Sequence, residues 1–225
     1  MPVFTIDGNI GAGKSTILEY LHTQYGIPID LEPVDKWQPF LEEIYYNGQG
    51  IFQFQIQVWL DRCYIQPKSK NNLIMERSPY FQRNVFIPAN YDNGKLSLRE
   101  FNTLQEMYER SGKLWSPSGY IYLRSNPVKC TERIKVRSRT SEEAISEEYI
   151  QKLHTLHENA YFYAASQGIP IICIDVEGKQ VAQIAREVWI ALNTMGLRQH
   201  TNMVYDVNHN RRNNKPKPYN PPRGK

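Results

Sequence analysis

Nowhere in these 225 residues do eighteen apolar residues stand in a row, so the sequence encodes no membrane-spanning helix. Cysteine is scarce: Cys63, Cys130 and Cys173 are odd in number, far apart and without metal-ligand spacing. A disulfide framework and a cysteine metal site are both disfavoured, and reduced thiols in a cytoplasmic setting are expected. No internal repeat is found. The first strand-like run begins almost at Met1, which leaves no room for a signal or transit peptide and again points to the cytoplasm. Strong net charge is missing too, and the overall +4 is unevenly placed. Residues 198–225 hold seven Lys and Arg against Asp206 alone, so the body before them carries −2. Rich in Asn and Pro, that segment reads as a flexible basic tail after a domain spanning 1–197. It is suited either to contact with nucleic acid or another acidic partner, or to no more than keeping the chain in solution.

What is abundant is glycine at the start. Val3-Phe4-Thr5-Ile6 is an apolar, β-branched run, and Ile17, Leu18 and Leu21 recur with helical spacing. Between them stands Gly8-x-x-x-x-Gly13-Lys14-Ser15, the phosphate-binding loop pattern in its strand–loop–helix setting. Backbone N–H groups of Gly8, Asn9, Ile10, Gly11, Ala12 and Gly13 can turn toward phosphate oxygens, where a side chain at Gly13 is expected to collide. Lys14 supplies a mobile positive charge, Ser15 can hold Mg²⁺, and Thr16 continues into a helix whose N-terminus faces the anion. The loop implies a nucleoside triphosphate but leaves the acceptor open.

Strand and helix signals alternate through the body, which predicts an α/β fold with a parallel sheet covered by helices. Further strands are predicted at Pro28–Pro33, at Leu73–Met75 running into Glu76-Arg77, at Tyr120–Leu123, and from Ile169 to Ile174. Helices are predicted over Phe52–Ile65, Leu98–Leu114, Tyr149–Ala165 and Val181–Leu192. Ligands of open α/β sheets sit at the carboxyl ends of the strands, where Glu32, Glu76 and Arg77 all fall. Each glutamate could instead be a solvated strand-end charge. Gln55 and Arg62, two helical turns apart, share a helix face. A glutamine offers a donor and an acceptor in one plane, as a nucleobase edge does, and Trp37 offers a flat packing surface. Arg133, Arg137 and Arg139, at spacings of four and two, read either as a phosphate clamp or as a solvated basic stripe.

The segments GNIGAGKST, EPVDKW, FQFQIQVWLDR, MERSPYFQRNVF, RIKVRSR and EEYIQKLHTLHE occur in that order. In these the chain resembles the deoxyribonucleoside kinase family, which includes deoxycytidine, deoxyguanosine and mitochondrial-type thymidine kinases and, more distantly, viral thymidine kinases. The likeness runs from about Phe4 to Leu192. It implies a three-layer phosphate-loop kinase fold with a five-stranded parallel sheet, an arginine lid at about 133–146, and a homodimer. If the chain is viral, its compartment is the host cytoplasm. The implied reaction is ATP-dependent phosphorylation of a deoxynucleoside 5′-hydroxyl with Mg²⁺. By the resemblance, Glu32 takes the hydroxyl proton, Arg77 holds Glu32 and the 5′ end, and Glu76 places the metal with Ser15. Arg133, Arg137 and Arg139 close over ATP, and Asp175, Val176 and Glu177 belong to the loop around its adenine. The strand-end Asp175 also fits an apolar-then-acid metal pattern. The nucleoside is assigned to Trp37, Val58, Gln55, Arg62, Gln82 and Phe86 at the base, and to Tyr45 (or Tyr46) and Glu142 at the sugar 3′-hydroxyl.

One position departs from the family pattern. Where deoxycytidine- and purine-preferring members pair the arginine at Arg62 with an aspartate, this chain has Gln82. Arg62 is therefore expected to bond Gln82, Gln55 or the base, and the preference to be broad or toward deoxycytidine and purines rather than strictly thymidine. Two rivals stand beside this reading: a nucleoside monophosphate kinase of the thymidylate type, and a nucleic-acid-binding or regulatory protein acting through its basic tail.

Overall fold

The structure, a computed structural model, describes residues 3–63, 73–139, 142 and 145–197. The predicted basic tail and most of the central part of the predicted lid lie outside them, as does the side chain of Tyr45. Five parallel strands form one sheet in the order β2-β3-β1-β4-β5: β1 Val3–Gly8, β2 Ile29–Asp30, β3 Leu73–Glu76, β4 Gly119–Arg124 and β5 Ile171–Asp175. Alternation along β4 explains how both faces are covered. Ile121 and Leu123 join Phe4 and Ile6 in a core with Ile17 and Leu18 of α1 (Lys14–Tyr25) and Val188 and Leu192 of α10 (Val181–Thr194). Tyr120 and Tyr122 point the other way, against Phe81 and against Leu153 and Ala160 of α9 (Glu147–Ser166).

All five predicted strands and four predicted helices exist, with shifted ends. β2 keeps only two residues in the ladder, because Pro33 follows closely and the Glu32 N–H turns to the Glu76 carboxylate instead. β5 starts after Pro170, whose carbonyl still accepts from the Tyr120 N–H but whose ring has no N–H to offer. The helix predicted over Leu98–Leu114 is two: α6 (Leu98–Arg110), opened by a Ser97–Glu100 capping box, and α7 (Gly112–Trp115). The Ser111 hydroxyl bonds back to the Met107 carbonyl at that break. Helix α3 (Ile51–Cys63) covers the predicted Phe52–Ile65 as far as the described residues go.

Three helical regions were not anticipated. Helix α2 (Val34–Asn47) carries Pro39 inside it, a residue that reads as a breaker. A continuous helical stretch runs from α4 (Pro79–Phe81) through a π-helical turn (Gln82–Phe86) into α5 (Ile87–Asp92). Only the second half of α8 (Pro127–Arg137), with Arg133 and Arg137, had an arginine signal, and its start is set by Asn126 accepting from the Val128 N–H.

The candidate active site

Beyond β1 the chain turns through Gly8–Gly13 into α1. A Cβ on Gly8 would stand 2.6 Å from the Leu123 carbonyl oxygen, and one on Gly11 would stand 2.6 Å from that of Cys130. At Gly13 a Cβ would meet no atom of the chain within 4 Å, and the backbone, at φ 90°, itself requires glycine. Asn9 fastens the loop by donating from Nδ2 to the Ile150 carbonyl of α9. Lys14 Nζ lies within the loop, 3.2 and 3.0 Å from the carbonyls of Gly8 and Asn9. Burial lowers it to about 8, with Arg77 pushing the same way and Glu32, Glu76 and Asp7 opposing.

Strands β1 and β3 are neighbours, so the end of β3 meets the loop. The Ser15 hydroxyl donates to Glu76 Oε1 at 2.8 Å, while Glu76 Oε2 accepts from the Glu32 N–H at 3.2 Å. Two oxygen ligands of the kind Mg²⁺ takes are thus adjacent, which fits the predicted metal pair. Arg77 follows in a left-handed backbone conformation, φ 59°, rare for a side chain with a Cβ. From there its Nε donates to Glu32 Oε1, and its guanidinium lies 4.1 Å from the Phe86 ring centre. Burial pushes the Glu32 carboxyl up, but Arg77 and Lys14 outweigh it and hold it below the usual carboxylate range.

These groups line one cavity of about 600 Å³. Six phosphate-loop residues (Ile10, Gly11, Gly13, Lys14, Ser15 and Thr16) reach it, together with Glu32, Glu76 and Arg77. So do Trp37, Gln55, Val58, Gln82 and Phe86 among the predicted base contacts, and Arg137, Arg139 and Glu142 from the predicted lid. Phe86 packs edge-on against His157, and Trp37 edge-on against Phe54. Trp37 is fixed by its indole N–H to Asp61 at 2.8 Å. The π-helical turn inserts an extra residue, and Gln82 and Phe86 at its two ends both line the cavity.

Several sequence expectations are corrected. Arg62 does share a face with Gln55, but seven residues carry it about 10 Å farther along the helix axis. There it finds a countercharge in Asp30 at 3.0 Å, donates to the carbonyls of Glu76 and Leu31, and does not line the cavity. Gln82 turns instead to Gln55, donating from Nε2 to Oε1 at 2.6 Å. The three arginines do not converge: Arg137 and Arg139 gather on Glu142, whereas Arg133 bonds the Ser125 hydroxyl at 2.8 Å and the Gly11 carbonyl at 3.4 Å. Glu142 thus holds arginines within the cavity. Among 175–177, Val176 is packed into the core, Asp175 accepts from the Glu177 N–H, and Glu177 accepts from Ser125 and Asn126. None of the three lines the cavity. Tyr46 is exposed and stands outside it as well. No group of three or more metal-ligating side chains occurs among the described residues.

Sequence reading missed Asp7, buried at the end of β1, with Oδ1 accepting from the Ser78 N–H at 2.7 Å and the Ser78 hydroxyl at 3.0 Å. Its Oδ2 accepts from the Thr5 hydroxyl at 2.8 Å. Burial pushes it up to about 6, against the lowering effect of Ser78, Thr5 and Arg77. The available signal was an acid closing an otherwise apolar strand just before the loop glycine.

The comparisons agree with this architecture. A family model described as deoxynucleoside kinase matches residues 4–191. Human mitochondrial thymidine kinase 2 is 30% identical over 170 residues, a match covering 69% of this chain and 63% of the human protein. Mouse deoxycytidine kinase is 29% identical over 214 residues, covering 76% and 82% of the two chains. A solved structure of deoxyadenosine kinase from M. mycoides, with products dCMP and a flexible dCDP bound, superposes with a TM-score of 0.75 at 30% identity. That superposition covers 86% of this chain and 99% of the other. With the phosphate loop, the Glu32–Arg77 pair and the sheet order in place, the chain belongs to the deoxynucleoside kinase family.

Proposed function

We propose that this protein transfers the γ-phosphoryl group of ATP to the 5′-hydroxyl of deoxyribonucleosides, giving deoxynucleoside monophosphates and ADP. The observation that carries the reading is the Arg77–Glu32 ion pair in one cavity with Lys14 and the Ser15–Glu76 pair. In this reading Glu32, ionised at neutral pH, accepts the 5′-hydroxyl proton as the oxygen attacks the γ-phosphorus in line. Its low basicity is no obstacle, because the hydroxyl becomes acidic as the new O–P bond forms. Arg77 keeps the carboxylate oriented, and Lys14 neutralises the phosphates. Ser15 and Glu76 would hold Mg²⁺, which would offset the charge of the donor phosphates. Arg137 and Arg139, gathered on Glu142, would turn their remaining guanidinium N–H groups to the migrating group.

Base preference follows from the amide pair. With Gln82 Nε2 committed to Gln55 Oε1, Gln55 Nε2 is left to donate and Gln82 Oε1 to accept. That pattern suits a ring-nitrogen acceptor beside an exocyclic amine, as in deoxycytidine and deoxyadenosine; thymidine presents the reverse. A nucleoside monophosphate acceptor is less well served, since Glu32 would face its phosphate. We include the homodimer and the cytoplasmic compartment in this reading on the family resemblance; no described helix is long and apolar enough to cross a membrane.

The test is ATP-dependent phosphorylation of the four natural deoxynucleosides in parallel, with kcat/KM for each. Turnover of deoxycytidine and deoxyadenosine above thymidine is expected. Turnover of deoxynucleoside monophosphates alone would overturn the assignment.

A further inference from the structure

Asp7 is the one fully buried carboxylate among the described residues that the proposed reaction leaves unused, and two of its three hydrogen bonds come from the turn after β3, the third from Thr5 on β1. That turn is unusual. Arg77 is one of only two non-glycine residues with positive φ among those described, and such a conformation persists only where neighbours over-determine it. Two neighbours do so here. The Arg77 N–H donates to the Ile6 carbonyl at 2.9 Å, and the next N–H, of Ser78, donates to Asp7 Oδ1 at 2.7 Å. The Ser78 hydroxyl adds a second bond to the same oxygen and accepts from the Phe81 N–H, starting α4. Thr5 holds the other carboxylate oxygen, so Asp7 cannot swing away.

We propose that Asp7 is a positioning residue whose carboxylate clamps the Arg77–Ser78 turn to the end of β1 and so sets where Arg77 holds the Glu32 carboxylate. The proposal rests on the reading of Glu32 as the proton acceptor. The clamp also explains why an acid is tolerated in a buried strand end. Gly8 follows Asp7 directly, so a single residue ties the first glycine of the phosphate loop to the arginine that orients the base. Misplacing a reacting group by about 1 Å can cost about 10²-fold in rate.

The experiment compares the native protein with Asp7→Ala and Asp7→Asn, each with and without Glu32→Gln. Thermal unfolding checks that each variant is folded, and Asp7→Ser replaces Asp7→Ala if that variant is not. We expect Asp7→Ala to lower kcat about 10²-fold, with the nucleoside KM changed by less than about threefold. Asp7→Asn should recover most of the loss, because its amide oxygen still accepts from Ser78. On the Glu32→Gln background the Asp7→Ala loss should shrink to less than about twofold, since no carboxylate is left to position. A second readout needs no turnover. In a crystal structure of Asp7→Ala the Arg77–Ser78 turn should leave its left-handed conformation and the Arg77 guanidinium should shift from the Glu32 carboxylate, whereas Asp7→Asn should keep both. Native kcat in Asp7→Ala, full additivity with Glu32→Gln, or an unshifted Arg77–Glu32 pair would each overturn the clamp. A native protein inactive on every deoxynucleoside would sink the functional reading alone, and the position of Arg77 in the variant would still decide the clamp.

Discussion

A carboxylate facing an arginine beside a phosphate loop has a consequence that a single substitution can isolate. Glu32→Gln keeps the size of the side chain and one oxygen that can accept from Arg77 but removes the charge and the proton acceptance. The nucleoside KM should stay within a few-fold while kcat falls about 10²–10⁴-fold, the usual worth of general-base help. Near-native kcat in the folded variant would remove Glu32 from the mechanism. Gln82 is tested by Gln82→Asp: a carboxylate accepts more strongly from an exocyclic amine, so kcat/KM for deoxycytidine over thymidine should rise. An unchanged ratio would mean that residue 82 does not read the base. Asp7 carries a stability prediction of its own. Its folded pKa, about 6, lies above the ordinary 3.8, so the folded state binds the proton more tightly than the unfolded chain does. The charged carboxylate therefore costs stability above pH 6, up to about 3 kcal/mol, and the cost fades as pH falls from 6 toward 4. Asp7→Asn, uncharged and still able to accept from Ser78, should raise Tm at pH 8 and lose that advantage near pH 4. Equal shifts at both pH values would contradict this.

At the scale of elements, periodicity and end signals carried most of what could be foreseen. The strand–loop–helix start was plain because the glycines, Lys14 and the apolar runs on either side agree with one another. Helix α2 was hidden by Pro39, and the stretch from Pro79 to Asp92 by two prolines and by the π-helical turn, whose period differs from 3.6. Helix α3 shows how a correct local inference still misplaces a side chain. Gln55 and Arg62 share a face, yet only Gln55 reaches the cavity, because Arg62 lies under the ends of β2 and β3 beside Asp30. Arg62 then works as a brace between elements. Arg62→Ala should cost about 2 kcal/mol through its lost charged hydrogen bonds, measured by denaturant unfolding, and leave the ratio of kcat/KM values among the bases unchanged. A large change in base preference with stability intact would restore Arg62 to the base site.

For the whole molecule, the parallel sheet places the ends of β1, β2 and β3 side by side, so that the phosphate loop, Glu32 and Arg77 meet at the carboxyl ends of the strands. The family match ends at residue 191, before the basic segment begins. A chain ending at Gln199 should therefore keep its kcat/KM for the best nucleoside. A tenfold loss without unfolding would show that residues 200–225 reach the site or a subunit contact, and salt-sensitive nucleic-acid binding lost with them would favour the rival reading.

The linear sequence by itself determined the phosphate loop, the alternation of strands and helices, and the presence of Glu32, Glu76 and Arg77 at strand ends, since all of these rest on spacing within a dozen residues. Only the tertiary structure decided which partner each polar side chain took. Arg62 went to Asp30 rather than Gln82, Gln82 to Gln55, Arg133 to Ser125 and Gly11, and Asp7 to Ser78. Each of these choices joins residues from 8 to 122 positions apart. A buried polar group must find some partner, but its identity is set by which elements pack together, and the local pattern does not encode that.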